Sequence, residues 1–178
     1  MKLLRTIHLD PSDTFIFPTA AEAGEWAISG AFVFADVEPT KLEGKELAAF
    51  RGGFLGVPSL GWSTLAQIVE ANAEDRNAAV DLVARSLLDR FGAPDLVAAR
   101  KAAEEEIDFA VSLCDHPVDT LIAVHRRDEA GTIREAFRSL RARSGAKRWH
   151  AFSFHDAETD EEPAEIVELA KLARDDRA

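Results

Sequence analysis

Between Ala73 and Phe91 the apolar residues Val80, Val83, Ala84, Leu87, Leu88 and Phe91 recur at i, i+3, i+4, i+7, i+8 and i+11. That spacing draws one continuous stripe down a 3.6-residue helix. Asn72 is placed to cap its start and Gly92 to end it. A second helix is predicted after Pro94, with Leu96, Ala99, Ala103, Ile107, Ala110, Val111 and Cys114 along one side. Glu104, Glu105 and Glu106, with Asp108, read as its solvated side, since three consecutive residues cannot share a helix face. So short a connection makes the two helices turn back on each other, and both stripes then need a common apolar surface to cover.

The rest of the chain supplies that surface as strands. Lys2 to Leu9 reads as a strand, followed by a turn at Asp10-Pro11-Ser12-Asp13. Phe15-Ile16-Phe17 and Glu25 to Ala35 read as two more strands, joined by short links as in an antiparallel meander. Leu42 to Arg51 reads as a short helix and Gly52 to Gly61 as a glycine-rich loop; Trp62 to Glu70, Thr120 to Arg126 and Trp149 to His155 read as strands. His116-Pro117 stops the second helix, and Asp128 to Thr132 is a turn. Ile133 to Leu140 fits two patterns. Ile133, Ala136, Phe137 and Leu140 suit a helix, the reading favoured here; Ile133, Glu135 and Phe137 alternate as in a strand hairpinned to the preceding one. Residues 156–162 are acidic and expected to be mobile, and an amphipathic helix is predicted from Glu162 to Arg174. Three Phe-x-Phe pairs (15/17, 32/34 and 152/154) are expected to form an aromatic layer, at least two of them facing the helices. The expected architecture is α+β: one domain over residues 1–178, a mostly antiparallel sheet of five or six strands, and helices packed on one face.

Charge narrows the function. The chain of 178 residues carries a net charge of -11, the wrong sign for a general nucleic-acid or anionic-membrane binder. The exception is 125–150, with eight basic residues against three acids. Within it Arg134, Arg138 and Arg141 form a stripe if the segment is helical, with Arg126, Arg127 and Arg148 nearby. This is the candidate interaction surface, for an acidic partner or a small anion; the bland alternative is pairing with the chain's own carboxylates. The single cysteine excludes an internal disulfide. With an N-terminus unlike a signal peptide, it leads us to expect a cytoplasmic protein.

Motifs for chemistry are few. Cys114, Asp115, His116 and His125 are the most tempting polar or metal-ligating set, with His150 as a further suspect. Their spacing matches no metal or nucleophile signature, and a lone cysteine at a helical core position usually serves as a small hydrophobe. The glycines at 52, 53, 56 and 61 run from helix into strand, the reverse of a phosphate loop. No cofactor and no metal are expected.

Several stretches carry a family resemblance: Met1-Lys2-Leu3-Leu4-Arg5-Thr6-Ile7, Leu60-Gly61-Trp62-Ser63-Thr64-Leu65, Ser112-Leu113-Cys114-Asp115-His116-Pro117, Ile122-Ala123-Val124-His125-Arg126 and Ala151-Phe152-Ser153-Phe154. On them the chain resembles an uncharacterised bacterial family, a domain of unknown function of about this length. The resemblance implies no activity, cofactor or catalytic residue. It implies company with iron–sulfur and molybdenum redox enzymes and a biotin/lipoate-ligase-like protein, hence an accessory role. The functional expectation is a non-catalytic accessory or protein-interaction domain that self-associates or binds another protein. The rival is a ligand-binding protein or enzyme with a site assembled around Cys114, His116 and His125.

Overall fold

A computed structural model describes residues 1–142 and 152–156. The fold is α+β, with helices and two antiparallel sheets. The two middle helices form as their stripes dictate. α3 (Ala73–Arg90) starts on a capping box in which Asn72 and Asp75 exchange side-chain-to-backbone bonds. It ends before Gly92, whose φ of 71° suits glycine. α4 (Leu96–Ser112) is capped by the Asp95 side chain, which accepts from the Ala98 N–H. The helices pack on each other, and α4 rests on β1 (Lys2–Ile7) and β2 (Ala27–Ile28). Ala79, Val80, Val83, Ala84 and Leu87 of α3, with Ala99, Ala103, Ile107 and Ala110 of α4, join one buried cluster with the sheets.

The larger sheet runs β1–β5–β6–β7–β8, through β5 (Leu65–Glu70), β6 (Leu121–Glu129), β7 (Thr132–Ala142) and β8 (Phe152–Asp156). Register places Thr6, Ala66, Ile122 and Ser139 in one row, Val124 beside Phe137 and Arg126 beside Glu135, all on one face. Phe109 of α4 meets Phe137 edge-to-face at 5.6 Å, so this is the face that α4 covers.

Several segments differ from the sequence-based expectation. Ile133 to Leu140 is not helical; it lies within β7, joined to β6 by the two-residue loop Ala130-Gly131. Both loop residues have positive φ (54° and 83°), the geometry that closes a tight hairpin with the right twist. Long-range pairing along nine residues of β6 outweighs a helical pattern only two turns long. Phe15-Ile16-Phe17 is no strand either: a one-turn helix α1 (Asp13–Ile16) forms after Pro11, leaving Phe15 73% exposed and Phe17 buried. The expected strand from Glu25 to Ala35 shortens to β2, because Gly30 is left-handed (φ 75°) and Ala31–Phe34 continues as a 3-10 helix. The aromatic layer of paired strand phenylalanines therefore does not form from the first two pairs. Phe34 instead stacks on Trp62 and meets Phe50 edge-on, and the third pair's side chains lie outside the described residues. Nor do the first strands form the expected meander: β1 pairs along its length with β5 and pairs with the segment before β2 only at the isolated bridge Arg5–Trp26.

The glycine-rich stretch is a second sheet, β2–β3–β4, with β3 (Phe54–Gly56) and β4 (Trp62–Ser63) after helix α2 (Gly44–Gly52). Gly61 is required by close approach: a Cβ there would lie 2.5 Å from the Ala20 carbonyl group. The glycines thus serve backbone packing. The expected acidic mobile segment and the helix from Glu162 to Arg174 lie outside the described residues, apart from Asp156, which ends β8.

Candidate functional site

β6 and β7 carry most of the polar groups of interest, and the two faces of their hairpin differ in kind. On the covered face Arg126 is 1% exposed, an unusual burial for a guanidinium. All five of its N–H groups are used. Nε donates to Glu135 Oε1 at 2.7 Å, and Nη1 donates to the carbonyls of Phe50 at 3.1 Å and Gly53 at 2.8 Å. Nη2 donates to the Ser29 carbonyl and, at 3.3 Å, to its Oγ. One side chain therefore ties β6 to β7, to the C-terminal end of α2 and to the strap after β2. The Ser29 hydroxyl also donates to Glu135 Oε1, completing a closed network. Burial pulls the Arg126 pKa below its ordinary value, and the neighbouring Glu135 and Glu106 charges oppose that pull.

Glu106 belongs to the same cluster. It is half-buried on the inner side of α4, not on the solvated side expected for it. Helix geometry explains the placement. Glu106 is three residues after Ala103 and four before Ala110, both fully buried, so it shares their face. It is also one turn from Phe109, whose ring meets Phe137, and Phe137 lies two residues from Glu135 on one face of β7. Glu106 is thereby carried toward Glu135. Burial pushes its carboxyl up to about 7; Glu135 and Glu105 add to that push and Arg126 opposes it.

The other face of the hairpin is open and cationic. Arg127 and Arg134 stand directly opposite each other, on the same face as the pairs His125 with Ala136 and Ala123 with Arg138. The side chains of Arg127 and Arg134 are 67% and 66% exposed, and both approach the single carboxylate of Glu129 through Nε, at 3.2 and 3.5 Å. An open cleft of about 350 Å³, lined by Ala123, Val124, His125 and Arg138, adjoins them.

The residues singled out from sequence are sorted by these faces. Arg134 and Arg138 share the open face. Arg141 has the opposite parity and places Nη2 3.3 Å from His116 Nδ1, and Arg126 is interior. The helical arginine stripe is thus replaced by a strand pair with Arg127 and His125 beside it. Cys114 is buried and points its thiol at the Ala110 carbonyl, 3.3 Å away. Burial pushes that thiol up to about 11 against a smaller opposing effect of Lys2, so the thiolate is scarce at neutral pH. His116 offers its carbonyl to Lys2. His125 stands exposed on β6, and Asp115 follows the end of α4. Among the described residues no three His, Cys, Asp or Glu side chains are placed to hold a metal ion. His150 lies outside the described residues, as do Arg143, Lys147 and Arg148.

The Arg126–Glu135 pair was within reach of the sequence. A two-residue loop at Ala130-Gly131 puts residues 126 and 135 opposite each other, and the strand reading of Ile133, Glu135 and Phe137 implies it. The approach of Glu106 had a weaker signal, its position between Ala103 and Ala110.

Residues 1–160 match the model of a family described as Family of unknown function (DUF6505). Neither a curated protein nor a solved structure matches the chain. Among the described residues no helix is long and apolar enough to cross a membrane.

Proposed function

We propose, for a chain that belongs to the family of unknown function DUF6505, that it is an accessory protein-interaction domain whose open β6–β7 face takes an acidic segment of a partner protein. The opposed pair Arg127 and Arg134 carries this reading. Each guanidinium reaches the shared Glu129 carboxylate through Nε, which leaves its exposed Nη donors for a partner. Two exposed guanidinium groups offer paired donors to carboxylates. They stand on one face of the hairpin as a cationic pair on a chain of net charge -11. Such a surface steers an acidic segment to one place, because the remaining surface repels it.

A fluorescein-labelled polyglutamate peptide is the probe, read by fluorescence anisotropy. Binding is expected at low salt and should weaken sharply as the Debye length shrinks from about 10 Å at 0.1 M to about 3 Å at 1 M. The variant Arg127→Glu with Arg134→Glu should abolish it, while Arg85→Glu on α3 should leave it unchanged. Equal binding by the double variant, or none by the unaltered protein, would overturn the reading.

A further inference from the structure

β7 pairs with β6 from Thr132 to Leu140, but with β8 only from Arg138 to Ala142. Among the described residues no strand pairs with the β8-side edge from Thr132 to Phe137, so a row of backbone N–H and C=O groups there is left for a further strand. β8 runs antiparallel to β7, and its last residue, Asp156, stands opposite Arg138. The chain therefore leaves β8 at the head of that edge and directed along it. The sequence that follows is Ala157-Glu158-Thr159-Asp160-Glu161-Glu162-Pro163. Carried on through Glu162, the β7–β8 register sets Glu158 opposite Ala136, Asp160 opposite Arg134 and Glu162 opposite Thr132. These are positions of the open face, where Arg127 stands across from Arg134 on the other side. Ala157, Thr159 and Glu161 fall opposite Phe137, Glu135 and Ile133 on the inner face. The acids thus alternate onto the cationic side, and the small residues Ala157 and Thr159 take the positions beside buried Phe137 and half-buried Glu135. Pro163 falls at the turn, opposite Gly131, and a proline cannot donate to a ladder. The stretch able to pair is as long as the edge left to be paired.

We propose that residues 157–162 extend β8 along this edge, so that the chain's own acidic segment occupies the open β6–β7 face and a partner's acidic segment binds by displacing it. The inference rests on the reading of that face as an acidic-segment site and adds its regulation. Charge and tethering favour this occupant over a second copy of the chain. Asp160 lies in one row with Arg134 and Arg127, and Glu158 and Glu162 are diagonal neighbours of Arg134. Joined to β8 without a linker, the segment meets the face at an effective concentration on the order of millimolar. A second copy brings the same net charge of -11 and is repelled. The occupant also covers an exposed strand edge. Its hold weakens with salt, because exposed charges are screened beyond a Debye length.

Two measurements on the full chain test the proposal. The first is NMR: backbone nuclear Overhauser contacts should connect residues 157–162 to Phe137 through Thr132 in the stated register, with Asp160 across from Arg134. Their absence at low salt would overturn the proposal. The second repeats the labelled polyglutamate titration with Glu158→Gln, Asp160→Asn and Glu162→Gln combined. Affinity should rise about tenfold, the gain expected when a face about nine-tenths occupied is freed. The control Glu74→Gln, Asp89→Asn and Glu105→Gln makes the same charge change away from the face and should leave affinity within about twofold, since those positions lie beyond the Debye length of the site. An equal gain in the control, or no gain in the first variant while Arg127→Glu with Arg134→Glu still abolishes binding, would overturn the proposal and leave the reading of the face standing. No binding by any of these chains would overturn that reading and the displacement step with it, whereas the cross-strand contacts report the place of residues 157–162 independently.

Discussion

Replacing Arg126 by methionine tests whether one buried side chain holds the hairpin, α2 and the strap after β2 together. Methionine fills much of the same length but donates nothing, so the change removes the 2.7 Å contact to Glu135 and the donors to three buried carbonyls, those of Ser29, Phe50 and Gly53. Breaking a buried ion pair from one side costs about 3–5 kcal/mol, because the remaining charge stays buried without its partner. Each orphaned carbonyl adds about 1 kcal/mol or more. The contributions overlap, since all four groups can shift together once the guanidinium is gone, and a total of about 5 kcal/mol is expected. Against a domain stability of about 5–15 kcal/mol this is a large fraction. Urea unfolding followed by tryptophan fluorescence is the assay. With a slope of about 2 kcal/mol per molar, the midpoint should drop by about 2 M or more. The companion variant Arg126→Met with Glu135→Met removes the stranded carboxylate and should recover part of the loss. A single variant within about 1 kcal/mol of the unaltered protein would refute the reasoning, by showing that the network is not what joins these elements.

Two more outcomes follow from the same structure. Cys114, with its thiol pushed up to about 11 by burial, should resist iodoacetamide at pH 8 in the folded chain and react readily once urea unfolds it; fast reaction in the native state, timed by mass spectrometry, would contradict the buried placement. Gly61→Ala should destabilise the small sheet by about 1–3 kcal/mol, because its Cβ would meet the Ala20 backbone at 2.5 Å, and an unchanged melting temperature would show that this approach is looser than described.

The helical pair, the Asn72 and Gly92 ends of its first helix and most of its buried stripe were legible from residues 72–112 alone, although Leu88, Phe91 and Leu96 of the expected stripe are exposed. Each depends on spacings within a turn or two of helix, and Asn72 and Gly92 act within a few residues of where they stand. The α+β class followed from the same local patterns. Partners distant along the chain decided the rest. Whether Ile133 to Leu140 became strand or helix turned on β6 being available to pair with it. Whether the arginines of that segment formed one surface turned on strand parity, which sends Arg134 and Arg138 outward and Arg141 to the other side. Arg126 stood in the sequence as one more basic residue. Its role arises because Ser29, Phe50 and Gly53 converge on it from positions 73 to 97 residues away. Glu106 differs from Glu104 and Glu105 only in the side of α4 that the Phe109–Phe137 contact turns toward the sheet. Local periodicity sets which residues share a face, but burial and the sharing of charge depend on what the folded chain brings against that face, and no short stretch of sequence contains that information.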